Sequence, residues 1–188
     1  MADVGQTVSK SIVFGDVVIS RADGYYSTRF ATADSPVVTI ERVGARTRPS
    51  VPIGTRDASC LVARIDDRPI TLLPGSGRVL ERSYRVIAEI DHRVVSLEPK
   101  SMATCRFVNG MPGEVVKTFG EFTLRANGSI EVEWETPTTY RLLKRTVIPP
   151  QPTREDTLIG FALAAAFGTG SLSLMLIVAG FISAALPG

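Results

Sequence analysis

The stretch GFALAAAFGTGSLSLMLIVAGFISAALPG, residues 160–188, decides how the rest of this 188-residue chain is interpreted. The last charged residue is Asp156, so 32 residues follow without a charge, whereas the first 156 residues carry all 40 charged side chains. The chain therefore divides into an ordinary polar part and a part that avoids water. An apolar segment of this length forms either a membrane-spanning helix or part of a buried core.

A C-terminal membrane anchor is our first hypothesis for residues 157–188. About 20 mostly apolar residues cross a bilayer as one helix. Basic residues before the segment favour the cytosolic side for the domain that precedes it, and they are Arg141, Lys144, Arg145 and Arg154. The hypothesis describes a single-pass transmembrane helix, membrane lipid as a partner and a β-rich domain on the cytosolic side of the membrane.

Two glycines, Gly168 and Gly170, predict a break in the tail helix, because together they cost about 2 kcal/mol of helix propensity relative to alanine. The break leaves segments 157–167 and 172–186, of 11 and 15 residues. Neither segment alone crosses a hydrocarbon core of about 30 Å. The tail therefore has two other interpretations: a buried core helix or helix pair, or an apolar segment that re-enters the membrane or joins copies of the chain into an oligomer.

The part before the tail predicts a mostly β, antiparallel fold. Its clearest unit is FTLRANGSIEVEWE, residues 122–135, where apolar and polar residues alternate and Asn127-Gly128 predicts a hairpin with a two-residue type I′ turn. The other strand candidates are 11–20, 25–30, 37–42, 60–65, 70–73, 83–90, 94–97, 104–108, 114–119 and 140–148. About ten to twelve short strands of this kind indicate an antiparallel sandwich or barrel, followed by an apolar C-terminal helical segment.

A proline-rich sequence, PPQP, marks the domain boundary, because consecutive prolines favour an extended connector and cannot continue a strand ladder. The following residues, TRED, have the composition of a helix start. We therefore divide the chain into a β-rich domain over 1–149, a proline-rich polar linker over 150–156 and an apolar helical tail over 157–188.

Few residues suggest chemistry. Cys60 and Cys105 are far apart in sequence and His92 is the one histidine, so the four ligands of a zinc site are lacking. The two cysteines are either thiols or, in an oxidising compartment, a disulfide. Catalytic and cofactor motifs are absent from the sequence, which predicts a protein that is not an enzyme, has no cofactor and has no identified small-molecule substrate. A net charge of +2, with both signs well mixed, argues against nucleic-acid binding.

The order of elements, a many-stranded β-domain and then the apolar run EDTLIGFALAAAF at 155–167, resembles the layout of the tubby-like, LURP-one-related and phospholipid-scramblase superfamily. This resemblance implies a closed twelve-stranded barrel with the terminal helix inside it. It also implies a soluble cytoplasmic protein that binds lipid or phosphoinositide head groups through surface arginines and lysines. It transfers no functional residue to this chain.

Three functions follow from these observations. The first is a non-enzymatic interaction or adaptor module, held at a membrane by its own C-terminus and able to bind a protein partner. The second is the lipid-binding barrel with the tail as its central helix. The third is a small enzyme with a site assembled from distant loops, for which the sequence supplies no motif.

Overall fold

The computed structural model describes residues 4–78, 80–125, 127–140 and 145–169. It contains an eleven-stranded antiparallel sheet, a separate two-stranded sheet and one helix, α1 (Arg154–Phe167). The large sheet consists of β1 (Gly5–Lys10), β2 (Asp16–Ala22), β3 (Tyr25–Phe30), β4 (Val38–Arg42), β5 (Leu61–Ile65), β6 (Arg68–Pro74), β7 (Val86–Ile90), β8 (Arg93–Pro99), β9 (Thr104–Val108), β10 (Thr118–Leu124) and β11 (Ile130–Trp134). The small sheet consists of β12 (Thr138–Tyr140) and β13 (Arg145–Val147). The prediction of a mostly β, antiparallel fold with a C-terminal helix is confirmed.

The large sheet curves into a nearly closed barrel. Each strand pairs with the next one along the chain, so the two edge strands, β1 and β11, run in the same direction. These edges meet at a seam, where the amide of Ile130 donates to Ser9 Oγ at 3.0 Å and the Trp134 indole donates to the Ser11 carbonyl at 3.5 Å. The strand pattern predicted either a sandwich or a barrel, and the structure is a nearly closed barrel.

Strand β1 was not among the predicted strands, and the candidate 11–20 begins too early. The sequence of β1, GQTVSK, has a single large apolar residue, Val8, which is exposed. A complete antiparallel register with β2 stabilises β1 instead of burial of apolar side chains. Residues 11–15 form the turn that joins β1 to β2.

Helix α1 fills the barrel lumen. Residues from Asp156 to Phe167 are all buried, as expected for a helix that is apolar on every side. The helix lies close to the wall at Gly160, where a Cβ atom would lie 2.6 Å from Phe122 Cζ. The Phe122 ring is itself enclosed edge-on by the rings of Phe107, Trp134 and Phe161, with centroids 5.1–5.8 Å away. A glycine is therefore required where helix and wall touch.

The N-terminus of α1 carries a complete capping box. The Asp156 amide donates to Thr153 Oγ1 at 3.1 Å, and the Thr153 amide donates to Asp156 Oδ2 at 2.9 Å. Arg93 forms ion pairs with Asp156 and with Glu155, and Glu155 also pairs with Arg68. The contact with Glu155 raises the pKa of Arg68. This network ties the helix start to the turns at one end of the barrel.

The transmembrane, single-pass anchor predicted for the tail is wrong. Across the described residues, the structure contains no helix with the length and apolar character needed to cross a membrane. Helix α1 has 14 residues, about 21 Å, and its apolar side chains face the barrel wall. The helix ends at Phe167, and Gly168 follows with φ of +87°. Gly170 and the rest of the tail, through which oligomerisation was considered, lie outside the described residues.

Candidate functional site

A cavity of about 430 Å³ lies at the end of the barrel where α1 ends. Ala164 and Ala165 form its helix side, and their short side chains leave a gap between helix and wall. Its apolar floor is completed by Ile19, Leu124 and Ile130 from β2, β10 and β11. The volume lies within the range of about 300–1,000 Å³ that is typical of small-molecule sites. The same helix that touches the wall at Gly160 thus stands away from it one turn later.

Arg21 borders this cavity at the barrel seam. Its Nη2 atom donates to Thr7 Oγ1 on β1 at 2.6 Å. A Cβ atom on Gly128, which precedes β11, would lie 3.2 Å from the same nitrogen. The guanidinium therefore lies between the two edge strands, where their backbones are not joined by a ladder in the described sheet.

The loop that carries Gly128 differs from the predicted turn. It runs from 125 to 129, longer than the two-residue type I′ turn that Asn127-Gly128 predicted. Asn127 Oδ1 accepts hydrogen bonds from the amide and hydroxyl of Ser129, and Gly128 has φ of +80°. The structure thus places both predicted turn residues in the loop beside the cavity.

Asp23 bridges two arginines at the cavity mouth. Its Oδ2 atom accepts from Arg42 Nη2 at 2.8 Å, and its Oδ1 atom accepts from Arg46 Nη1 at 3.1 Å. Arg46 also donates to the carbonyls of Pro49 and Val51, at 3.2 Å each. The Asp23 side chain is 64% exposed, so water screens its ion pairs.

Arg42 is buried and incompletely satisfied. Only 7% of its side chain is exposed, and its Nε and Nη1 atoms have no hydrogen-bond partner among the described residues. The guanidinium packs on backbone, because Cβ atoms on Gly24 and Gly54 would lie 3.1 and 2.3 Å from its terminal nitrogens. A buried cation normally requires a full set of partners. Arg42 is therefore a cation whose position is fixed and whose hydrogen-bonding capacity is only partly used.

Arg56 is a second buried arginine at this end of the barrel. It donates to the carbonyls of Gly75 and Tyr84, both at 3.1 Å, and lies over the rings of Tyr84 and Phe167. Burial lowers the pKa of Arg56 to about 10. It has no carboxylate partner in the described part of the chain, although the partial negative charge at the end of α1 favours a cation here.

Tyr26 adds a neutral polar group to the cavity wall. Burial raises the pKa of its phenol, against the opposite effect of Arg21 and Arg46. The hydroxyl therefore stays protonated well above neutral pH. The site as a whole combines an apolar floor, one phenol and two lining arginines, Arg21 and Arg46, which suits recognition of an anion attached to an apolar body.

The two cysteines lie apart from this cavity. Cys60 ends a short 3-10 turn (Ala58–Cys60), and Cys105 is buried on β9 with its sulfur 3.9 Å from the Gly168 carbonyl. Both residues are thiols in the structure. Among the described residues, no group of three or more His, Cys, Asp or Glu side chains could hold a metal ion.

Sequence reasoning missed the arginines, although part of the signal was present. Arg21 continues the inward-facing series of Val17 and Ile19 on β2, and Arg42 does the same at the end of β4. An arginine in phase with buried apolar residues indicates a charge that faces the interior. The pattern does not show that the side chains converge on one mouth, which depends on the long loop between β4 and β5.

The observed barrel fits the superfamily resemblance only in outline. It is a nearly closed antiparallel barrel with one C-terminal helix, and its large sheet has eleven strands where the resemblance implies twelve. Comparison with known proteins assigns no family, because no protein-family model, no curated protein and no solved structure matches this chain.

Proposed function

We propose that this protein is a non-enzymatic binding module for an amphiphilic lipid with an acidic head group. The observation that carries the proposal is the cavity beside Ala164 and Ala165, with its apolar floor and arginine mouth. The outline likeness to tubby-like barrels supports the same ligand class. In this proposal the protein binds a single lipid molecule in its cavity and does not insert a helix into a bilayer.

The two halves of the site supply different parts of the binding energy. Apolar floor residues remove methylene groups of the ligand from water, which contributes about 0.8 kcal/mol for each one buried. At the mouth, Arg21 and Arg46 offer charge-assisted hydrogen bonds to an acid group. The floor therefore provides affinity, and the mouth selects acidic over neutral amphiphiles.

Binding of a fluorescent polyene fatty acid to the purified full chain tests this proposal. We expect saturable binding, about tenfold tighter than binding of the methyl ester of the same acid, because the ester lacks the charge that the arginines recognise. Fluorescence titration of both probes measures the difference. Equal affinities for acid and ester would contradict an arginine-lined mouth.

Filling the cavity tests its location. Ala165→Phe places a ring in the space beside α1, so we expect binding of both acid and ester to be lost. Ala165→Leu is a milder variant in case the larger ring disturbs the barrel, and circular dichroism melting reports whether each variant folds. Ala31→Phe, an exposed position at the opposite end of the barrel, is the matched control. A folded Ala165→Phe protein with unchanged affinity would place the ligand elsewhere.

A further inference from the structure

Asp23 is the most exposed of the three charged residues Asp23, Arg42 and Arg46 at the cavity mouth. Arg46 is fixed by the carbonyls of Pro49 and Val51, and Arg42 is fixed between two glycine backbones. Asp23 lies in the two-residue turn between β2 and β3, with its side chain 64% exposed. The cations are therefore preorganised, whereas the carboxylate between them is exposed and screened by water, and an acid group that replaces it keeps Arg42 paired.

The ion pairs of Asp23 with Arg42 and Arg46 do not use all the hydrogen-bond donors of these arginines. Asp23 gives one oxygen to each arginine, and Arg42 keeps two buried nitrogens without a described partner. A guanidinium binds an acid group best through two parallel hydrogen bonds, a geometry that Asp23 does not provide. An acid group from a ligand that enters the cavity reaches Asp23 and Arg46, which both line it, and Arg42 is adjacent to them as the other partner of Asp23.

We propose that Asp23 is a built-in competitor for the ligand, occupying the head-group position until an acidic head group displaces it from Arg42 and Arg46. The inference rests on the proposed function and assigns the head-group position within that site. It makes Asp23 a specificity-determining residue whose removal strengthens the binding of acids. Neutral amphiphiles do not compete for the arginines, so their affinity does not depend on Asp23.

The test is Asp23→Asn in the full chain, titrated with the fluorescent fatty acid and with its methyl ester. The substitution keeps a residue that favours tight turns before Gly24, so the hairpin between β2 and β3 is retained. We expect affinity for the acid to rise roughly three- to tenfold, the worth of the two ion pairs that the exposed Asp23 carboxylate forms, and affinity for the ester to stay unchanged. The acid should also raise the melting temperature of the variant more than that of the parent protein at the same concentration.

Asp91→Asn is the matched control. Asp91 occupies a two-residue turn between β7 and β8, is 55% exposed and pairs with Arg68 at 3.0 Å, at the other end of the barrel. The control variant should bind the acid as the parent does. An equal gain in both variants would indicate a general effect of net charge and overturn the local competition.

The outcomes separate this inference from the function on which it rests. Binding of the acid by the parent protein, with no gain in Asp23→Asn, overturns the competitor role alone. A gain for the ester as large as that for the acid overturns it too, because the ester cannot replace a carboxylate. Failure of every variant to bind either probe overturns the proposed function and this inference together.

Discussion

The charged groups around the helix start and those at the cavity mouth differ in how completely they are paired. At the end where α1 begins, two arginines are matched by three carboxylates, and the side chains involved are Arg68, Arg93, Asp91, Glu155 and Asp156. At the end where α1 finishes, Asp23 pairs with Arg42 and Arg46, and two Arg42 nitrogens have no partner within the described part of the chain.

This difference distinguishes a structural end from a binding end. Satisfied charges around the helix cap fix the position of α1, so they contribute to stability. Unsatisfied charges beside a cavity lower stability, and they are typical of places where a protein binds a partner that completes the network. The predictions below perturb the two ends and the helix between them, beginning with the largest effect.

Asp156→Ala should have the largest effect on stability. It removes the capping box with Thr153 and leaves Arg93 without its buried partner, for a loss of about 3 kcal/mol in the free energy of unfolding. Urea denaturation followed by circular dichroism measures the loss. Asp91→Asn, which removes one exposed ion pair at the same end, should cost under about 0.5 kcal/mol. Similar losses in both variants would show that the cap has no special role.

Gly160→Ala should destabilise the protein by about 1–2 kcal/mol. Alanine favours the helix by about 1 kcal/mol, but its methyl group would overlap Phe122, whose ring is enclosed by three others and has no room to move. The same urea experiment measures the change, with Ala162→Gly as the reverse control in the same helix. A stabilised Gly160→Ala protein would mean that α1 can shift towards the cavity side of the lumen.

Arg42→Met should change stability by less than about 1 kcal/mol, in contrast to the charge deletion at the opposite end. Methionine keeps the apolar stem of the side chain and removes two buried nitrogens that lack partners among the described residues, so burial of the apolar side chain offsets the lost ion pair with Asp23. Arg64→Met, on the outer face of β5, is the control. A loss above about 3 kcal/mol would show that Arg42 belongs to a satisfied network like the one around Asp156.

The smallest effect concerns Tyr26 at alkaline pH. Because burial raises its pKa in the folded state, the unfolded chain releases this proton first as pH rises. Stability is therefore complete below the unfolded pKa of about 10 and declines above it. Melting temperatures between pH 8 and pH 11 should fall less steeply for Tyr26→Phe than for the parent protein. Parallel curves would show that Tyr26 ionises equally in both states.

Sequence reasoning found the features that are encoded locally. Alternation and turn residues predicted most strands, and the composition of residues 153–156 predicted the helix start. The surroundings of the helix were not predictable in the same way, because a segment that is apolar on every side suits a bilayer and a barrel lumen equally. Strand β1 was not predicted because it is stabilised by backbone pairing with β2 and lacks the alternating apolar side chains that indicate a strand.

The candidate site was less accessible to prediction than the fold. Arg21 and Arg42 lie in phase with buried residues, and that phase is visible in the sequence. Their meeting with Asp23 and Arg46 depends on the closure of the barrel and on the path of the loop between β4 and β5. The cavity depends on the distance between α1 and the wall, which the sequence of neither element determines.

The odd number of strands in the large sheet determines the direction in which α1 runs through the lumen. With eleven strands joined in sequence, β11 finishes at the end of the barrel opposite to the one where β1 starts. The chain must return through the lumen, so the carboxyl end of α1 arrives beside the start of β1. An even count would have turned the helix round and set its positive end against the arginines. One strand more or fewer would thus reverse the electrostatic sign of the helix end that lies beside the cavity.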